Sequence, residues 1–321
     1  MIVSQIARTP GEVQAQCPTL DMTCVFDTKE YAQAVLKYQF GKADLVPCQM
    51  KKNGERCGRN HASGWAVRRR DGRIAYVGEG CARENLKALK KFRMDARGIA
   101  AQIRLSELRT RLTVALSDAC LSQRISALSA RLARLHERIV AIQRWWPLSL
   151  KKRIAGMHQG TPEVTVELAF AEQAEGGTEI FKWRLHRLGA VVGVEAMDLR
   201  AIRALSNRLD AAAAAATVRE VDITPASEAK LKRWLAELSD VAVCESTLNR
   251  LEDALASFLA PCNLKLLYWT VRGRREQLYT LAGILRLLLG MCPTEAQVRE
   301  AGAIWKRTLC TAHDARDLRV P

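Results

Sequence analysis

The stretch VPCQMKKNGERCGRNHASGWAVRRRDGRIAYVGEGCAREN, residues 46–85, decides how the N-terminal half is read. It holds Cys48, Cys57, His61 and Cys81, spaced C-x8-C-x3-H with nineteen residues before the last Cys. Structural zinc takes four Cys or His ligands in a tetrahedron. Cys57-Gly58-Arg59-Asn60-His61 forms a clip, and Gly58 permits its tight turn. Gly64-Trp65-Ala66-Val67 and Arg73-Ile74-Ala75-Tyr76-Val77 flank Asp71-Gly72, a β-hairpin signal that carries the chain away and back. Gly78-Glu79-Gly80 then delivers Cys81 to a helix opening Ala82-Arg83-Glu84, where the dipole favours a thiolate. Cys48 adds the remaining ligand from across a Lys-Lys-Asn-Gly-Glu loop. The expectation is one bound Zn2+. The competing reading is three unrelated buried thiols and a surface histidine.

The matching elements are Cys57-Gly58, the hairpin with its Asp-Gly turn, and Val77-Gly78-x-Gly80-Cys81-Ala82. On these residues the segment resembles a treble-clef-type zinc module, of the kind found in small proteins of phages and mobile elements. The resemblance covers residues 46–85 only. It departs from the usual C-x2-C knuckle, because eight residues separate Cys48 from Cys57. Cys17 or Cys24 could therefore replace Cys48 or His61. Cys120, Cys244, Cys262, Cys292 and Cys310 fall on or beside expected helices and read as buried small hydrophobes.

Charge divides the chain unevenly. Residues 1–160 carry 29 Lys and Arg against 13 Asp and Glu, whereas residues 161–321 carry 21 of each. The whole formal excess of +16 thus lies in the first half, which suits contact with a polyanion. The opening residues lack a cationic stretch followed by a long apolar one, so no signal peptide is expected. The longest apolar stretch, near Tyr279 to Met291, is too short to span a bilayer and contains Arg286. A cytoplasmic protein with reduced thiols is expected.

The fold expected is mainly α. Cys24-Val25-Phe26 suits a short strand, and Asp27-Thr28 offers an N-cap for a helix through Phe40, ended by Gly41. From Cys81 the pattern is helical. Leu121, Ile125, Leu128, Leu132, Leu135, Ile139, Ile142 and Trp146 alternate steps of four and three, a coiled-coil-like seam. Around Ser117-Asp118-Ala119-Cys120 either a helical hairpin turns or one long helix carries a stutter; a long basic hairpin over 81–116 and 121–146 is favoured, because each arm then buries the other's seam, with Pro147 ending the second arm. A second β-hairpin, with residues 164–170 and 178–183 flanking Gly176-Gly177, opens a neutral C-terminal half. Helices are expected there near 196–216, 225–240, 243–260, 272–289 and 294–310. Two domains follow: 1–160, facing nucleic acid, and 161–321, a helical interaction domain.

Arg83, Lys90, Arg97, Arg104 and Arg111 recur every seven residues, so on a helix they fall along one side with slow drift. Lys87, Lys91, Arg93 and Arg109 widen the patch, and Arg68, Arg69, Arg70 and Arg73 extend it over the hairpin. Such a stripe neutralises phosphates with little base specificity. Trp65 and Tyr76 are placed either to stack bases or to pack behind the metal. The sequence contains no P-loop, no G-x-G-x-x-G, no H-E-x-x-H and no deaminase pattern, so no enzyme is expected. The expected role is a zinc-containing nucleic-acid-binding accessory protein. The alternatives are an adaptor or inhibitor whose basic half grips an acidic surface, and a structural protein that self-associates through the 121–146 seam.

Overall fold

The computed structural model describes residues 6–160, 162–175 and 178–321. The chain forms two compact units, each built from two segments. The first is Met1–Asp118 with Val218–Leu235, and the second is Ala119–Thr217 with Ala236–Pro321. As expected, the protein is mainly α, with small antiparallel sheets. The boundary expected after residue 160 lies inside the second unit.

The first unit opens with α1 (Pro10–Gln16), capped by Thr9, whose side chain accepts from the Glu12 backbone N–H. Its central sheet has the order β1 (Tyr31–Gln39), β6 (Ser63–Arg69), β7 (Ile74–Gly78). Between them lie β2 (Val46–Pro47), β3 (Lys51–Lys52), β4 (Glu55–Arg56) and β5 (Asn60–His61), paired β2 with β5 and β3 with β4. The Asp71-Gly72 hairpin forms as read, with Arg68 opposite Ile74. The helix expected over 28–40 does not. Asp27 caps only a 3-10 turn, Thr28–Glu30, and the chain then extends as β1. Leu36, Tyr38 and Phe40 are buried between exposed or half-buried Lys37 and Gln39, which is the period of two that a strand needs. Pairing β1 with β6 also covers an edge of the hairpin that would otherwise lie bare.

The two faces of this sheet carry separate clusters. Tyr38, Ala66, Ile74 and Tyr76 meet Val13 and Cys17 on one face. Trp65, Val67, Ala75 and Val77 meet Leu86, Phe92, Ile99 and Ile103 on the other. Leu86 comes from the π-helical segment Ala82–Leu86, which continues α2 (Glu79–Cys81), and the other three come from α3 (Lys90–Leu116). Leu89 is extended, at φ −73° and ψ 116°, so the expected single helix breaks just before Lys90. Asp95 docks α3 onto β1, accepting from Tyr31 Oη at 2.6 Å and from the Ala34 N–H at 3.0 Å.

In the second unit, α4 (Leu121–Arg144) and α5 (Leu148–Gln159) precede the hairpin β8 (Glu163–Gln173) and β9 (Glu179–Ala190). The expected Gly176-Gly177 turn lies outside the described residues. Then come α6 (Leu199–Ala216), α7 (Glu220–Ile223, part of the first unit), α8 (Glu228–Phe258), α9 (Pro261–Tyr268), α10 (Arg274–Leu289), α11 (Glu295–Ala312) and β10 (Asp317–Arg319), which pairs with β8. The helices expected over 225–240 and 243–260 are one, α8, because no Gly or Pro interrupts its sequence. Among the described residues, no helix is long and apolar enough to cross a membrane.

The seam of α4 is buried, but not by the other arm of a basic hairpin. Ile202, Leu205, Leu209 and Ala212 of α6, with Leu248 and Leu251 of α8, share its core. Both helices carry the same steps of three and four, and burying two matched stripes in one unit removes more apolar area from water. Arg131 reaches Glu252 of α8 at 2.5 Å, so part of the α4 charge is spent internally. Leu128, Leu132 and Leu135 are only 3%, 3% and 5% exposed, which makes the seam core and excludes it as a self-association surface. The core of α4, α5, β8 and α6 is continuous, and that is why no boundary falls at residue 160.

Candidate metal centre

The Sγ atoms of Cys48, Cys57 and Cys81 all lie within 4.8 Å of one another, so these three cysteines can bind a metal ion. Cys57 Sγ and Cys81 Sγ stand 3.7 Å apart. The long C-x8-C spacing is resolved by a small hairpin. Asn53 and Gly54 have φ of 51° and 91°, so both central residues of the β3–β4 turn are left-handed, as a type I′ turn requires. That turn brings the chain straight back. The Cys57 N–H donates to the Met50 carbonyl at 2.8 Å, the Gly58 N–H to the Cys48 carbonyl at 3.0 Å, and the Cys48 N–H to the Arg59 carbonyl at 2.9 Å. Gly58, at φ 64°, makes the second tight bend. The Asn-Gly pair between Lys51-Lys52 and Glu55-Arg56 was the legible signal, and sequence reasoning passed over it as a loop.

His61 is not one of the clustered groups. Its ring stacks on Tyr38 at 5.8 Å between centroids, and Nδ1 lies 3.3 Å from Tyr38 Oη. Nε2 is buried without a hydrogen-bond partner. The ring also presses on Gly78, where a Cβ would stand 2.7 Å from His61 Cδ2. Burial lowers the His61 pKa, which favours the neutral imidazole, the form that can act as a ligand. Cys17 and Cys24 do not substitute for it. Cys17 is buried in the α1 cluster, and Cys24 Sγ accepts from Gln49 Nε2 at 3.2 Å.

The thiols differ in acidity. Burial raises Cys57, but the Arg59 backbone N–H, the Cys81 and Cys48 thiols and the Lys52 charge outweigh it, so its pKa is lowered. Burial, with crowding by Cys48 and Cys57, pushes Cys81 up to about 12. The two shifts run in opposite directions, and a bound dication would favour the thiolate form of both. Lys52, bonded to Glu84 at 2.7 Å, places a further positive charge by the sulfurs. Neither residue was anticipated as part of the site.

The expected nucleic-acid residues separate into two groups. Arg69 is only 11% exposed at its side chain and pairs with Glu30 at 2.8 Å and Asp71 at 3.2 Å. Arg73 pairs with Asp71 and Asp21 at 2.8 and 3.1 Å. Arg109 donates to the Thr224 carbonyl at 2.5 Å. These three cations hold the fold. Arg68, Arg70, Arg83, Lys87, Lys90, Lys91, Arg93, Arg97 and Arg111 are exposed, and among the described residues none of them forms an ion pair. Arg104 has a long one, 3.9 Å to Glu228. Arg83 and Lys87 precede the break at Leu89, so the continuous stripe on α3 is Lys90, Arg97, Arg104 and Arg111. Trp65 and Tyr76 are buried, at 7% and 1% exposure, and belong to the packing and not to base stacking. Three cysteines expected to be buried, Cys120, Cys262 and Cys292, are exposed.

No protein-family model, no curated protein and no solved structure matches this chain.

Proposed function

We propose that the first unit is a zinc-stabilised nucleic-acid-binding module of treble-clef type, and that the protein is an accessory factor without catalytic activity. The observation that carries the reading is the coexistence, in one compact unit, of three convergent cysteines and an α3 face of exposed cations, of which, among the described residues, only Arg104 forms an ion pair, and that a long one. Three thiolates are a soft donor set that selects Zn2+ over the hard cations. His61 is the fourth ligand, because a buried neutral imidazole nitrogen without a partner is otherwise an unrecovered cost. The ion ties the Cys48–Cys57 hairpin to the start of the helical segment that leads into α3, and so orients the cationic stripe.

Phosphate contact suits that stripe better than a protein partner does. Its cations repeat at one per two helical turns with few acids between them, which matches a regular polyanion. The test is two measurements on the full chain. Metal analysis should find about one zinc per chain, and fluorescence anisotropy should find affinity for duplex DNA or RNA that falls steeply with salt. No binding to either nucleic acid at low salt would leave the adaptor reading in its place.

A further inference from the structure

The sheet of the second unit has the order β10-β8-β9, which leaves β9 as an open edge. Its phase can be read from neighbouring hydrogen bonds. The Ala174 N–H donates to the Thr178 carbonyl at 2.9 Å, and Phe170 pairs with Lys182 and Leu168 with Arg184 in the same register. The Ala169 carbonyl accepts from Arg316 on the β10 side, so alternate β8 residues face the other way. Bonding alternates along an antiparallel pair. Lys182, Arg184 and His186 therefore bond to β8, while Glu179, Phe181, Trp183, Leu185 and Arg187 turn their backbone N–H and C=O groups outward.

These five residues also share one face of the sheet, and they are apolar at the centre. Phe181, Trp183 and Leu185 are 55%, 36% and 66% exposed. A row of exposed apolar side chains along an unpaired edge is an open template for another strand. The row is self-complementary. An antiparallel strand of the same sequence, related by a two-fold axis at Trp183, sets Trp183 against Trp183, Phe181 against Leu185, and Glu179 against Arg187. Moving the axis by one residue keeps the backbone phase but sets Phe181 against Arg187, or Glu179 against Leu185. Only the axis at Trp183 sets every charge on that face against its opposite, with Arg187, which already bonds Glu163 of its own strand pair at 2.8 Å, gaining Glu179 as a second carboxylate. On the other face, Lys182 and Arg184 would oppose each other, and each is already neutralised by Glu172 at 2.7 Å.

We propose that β9 pairs with β9 of a second copy of this chain, antiparallel about Trp183, joining two three-stranded sheets into one of six strands. The interface is isologous, so each contact away from the axis occurs twice. It is independent of the zinc and nucleic-acid reading.

Sedimentation velocity on the full chain tests it. The wild type should sediment as a dimer of the 35.8 kDa chain at micromolar concentration. Glu179→Arg sets like charges together at two places and should weaken the dimer at least tenfold, as should Arg187→Glu. Combining the two exchanges the charges and should restore the dimer. All these side chains lie on an exposed strand, and an unchanged far-UV spectrum confirms that the variants are folded. A Trp183→Cys variant should in addition crosslink through its introduced thiols under mild oxidation. A wild type that stays monomeric at 100 µM, or a dimer indifferent to both reversals, overturns the proposal. A double variant as weak as the singles overturns the register about Trp183.

Discussion

Replacing Lys90, Arg97, Arg104 and Arg111 together by Gln tests the nucleic-acid reading most directly. The four side chains span 21 residues of one helix, about 32 Å at 1.5 Å per residue. A seven-residue repeat drifts by about 20° per step, so the stripe turns by only about 60° from end to end. All four can therefore reach one side of a nucleic-acid strand, with one phosphate apiece. Four neutralised phosphates give a slope of about −3.6 in log affinity against log salt on duplex DNA, or about a 150-fold loss between 50 and 200 mM salt. Anisotropy of a labelled duplex across that range should show at least this loss for the wild type. The Gln variant should be shallower by 3 to 4 slope units, on the order of one per lost contact. Its fold should survive, because each change is on the surface and worth about 0.5 kcal/mol or less. Slopes that agree to within about one unit would place the contact elsewhere and refute the assignment of α3.

Three further outcomes are expected. Cys81→Ser should reduce bound zinc from one per chain towards none and lower the melting temperature, while the same change at the exposed Cys262 should do neither; a metal-free wild type that melts unchanged would remove the centre. Leu132→Ala, at a side chain 3% exposed in the α4 seam, should cost about 2–5 kcal/mol in urea unfolding; a loss under about 1 kcal/mol would show that α4 is not core. The Asp21 carboxyl is held at about 2, against an ordinary 3.8, by bonds from the Thr23 hydroxyl and backbone N–H and by Arg73. Its folded pKa is the lower one, so its contribution is complete above the ordinary value and fades as pH falls through that window. Asp21→Asn should flatten the near-UV signal change in that interval, and an unaltered acid titration would contradict the assignment.

Much of the cysteine cluster was legible because its determinants are local. The Gly58 bend, the Asp71-Gly72 turn and the entry of Cys81 into a helical segment depend on glycine conformations and short-range hydrogen bonds. The mainly α class followed equally from periodicity, and α8 could have been read as one helix from its lack of Gly and Pro. Where sequence reasoning failed locally, at β1 and at the Asn53-Gly54 turn, the signals were present but outweighed by a plausible cap and an unfamiliar ligand spacing.

What the sequence by itself determined is therefore the set of stripes and turns: which face of α4 is apolar, which residues of α3 are cationic, and where the thiols bend together. Only the tertiary structure decided what each stripe meets. An apolar seam is indifferent to which matching stripe covers it, since burial energy depends on area and not on address. The chain satisfies α4 with α6 and α8, and so places the α4 seam in the second unit. Ion pairing is equally non-local. Arg69 and Arg97 look alike in the sequence, but one is locked to Glu30, 39 residues away, and the other stays open to solvent. That difference separates the cations that hold this fold from those that stay exposed.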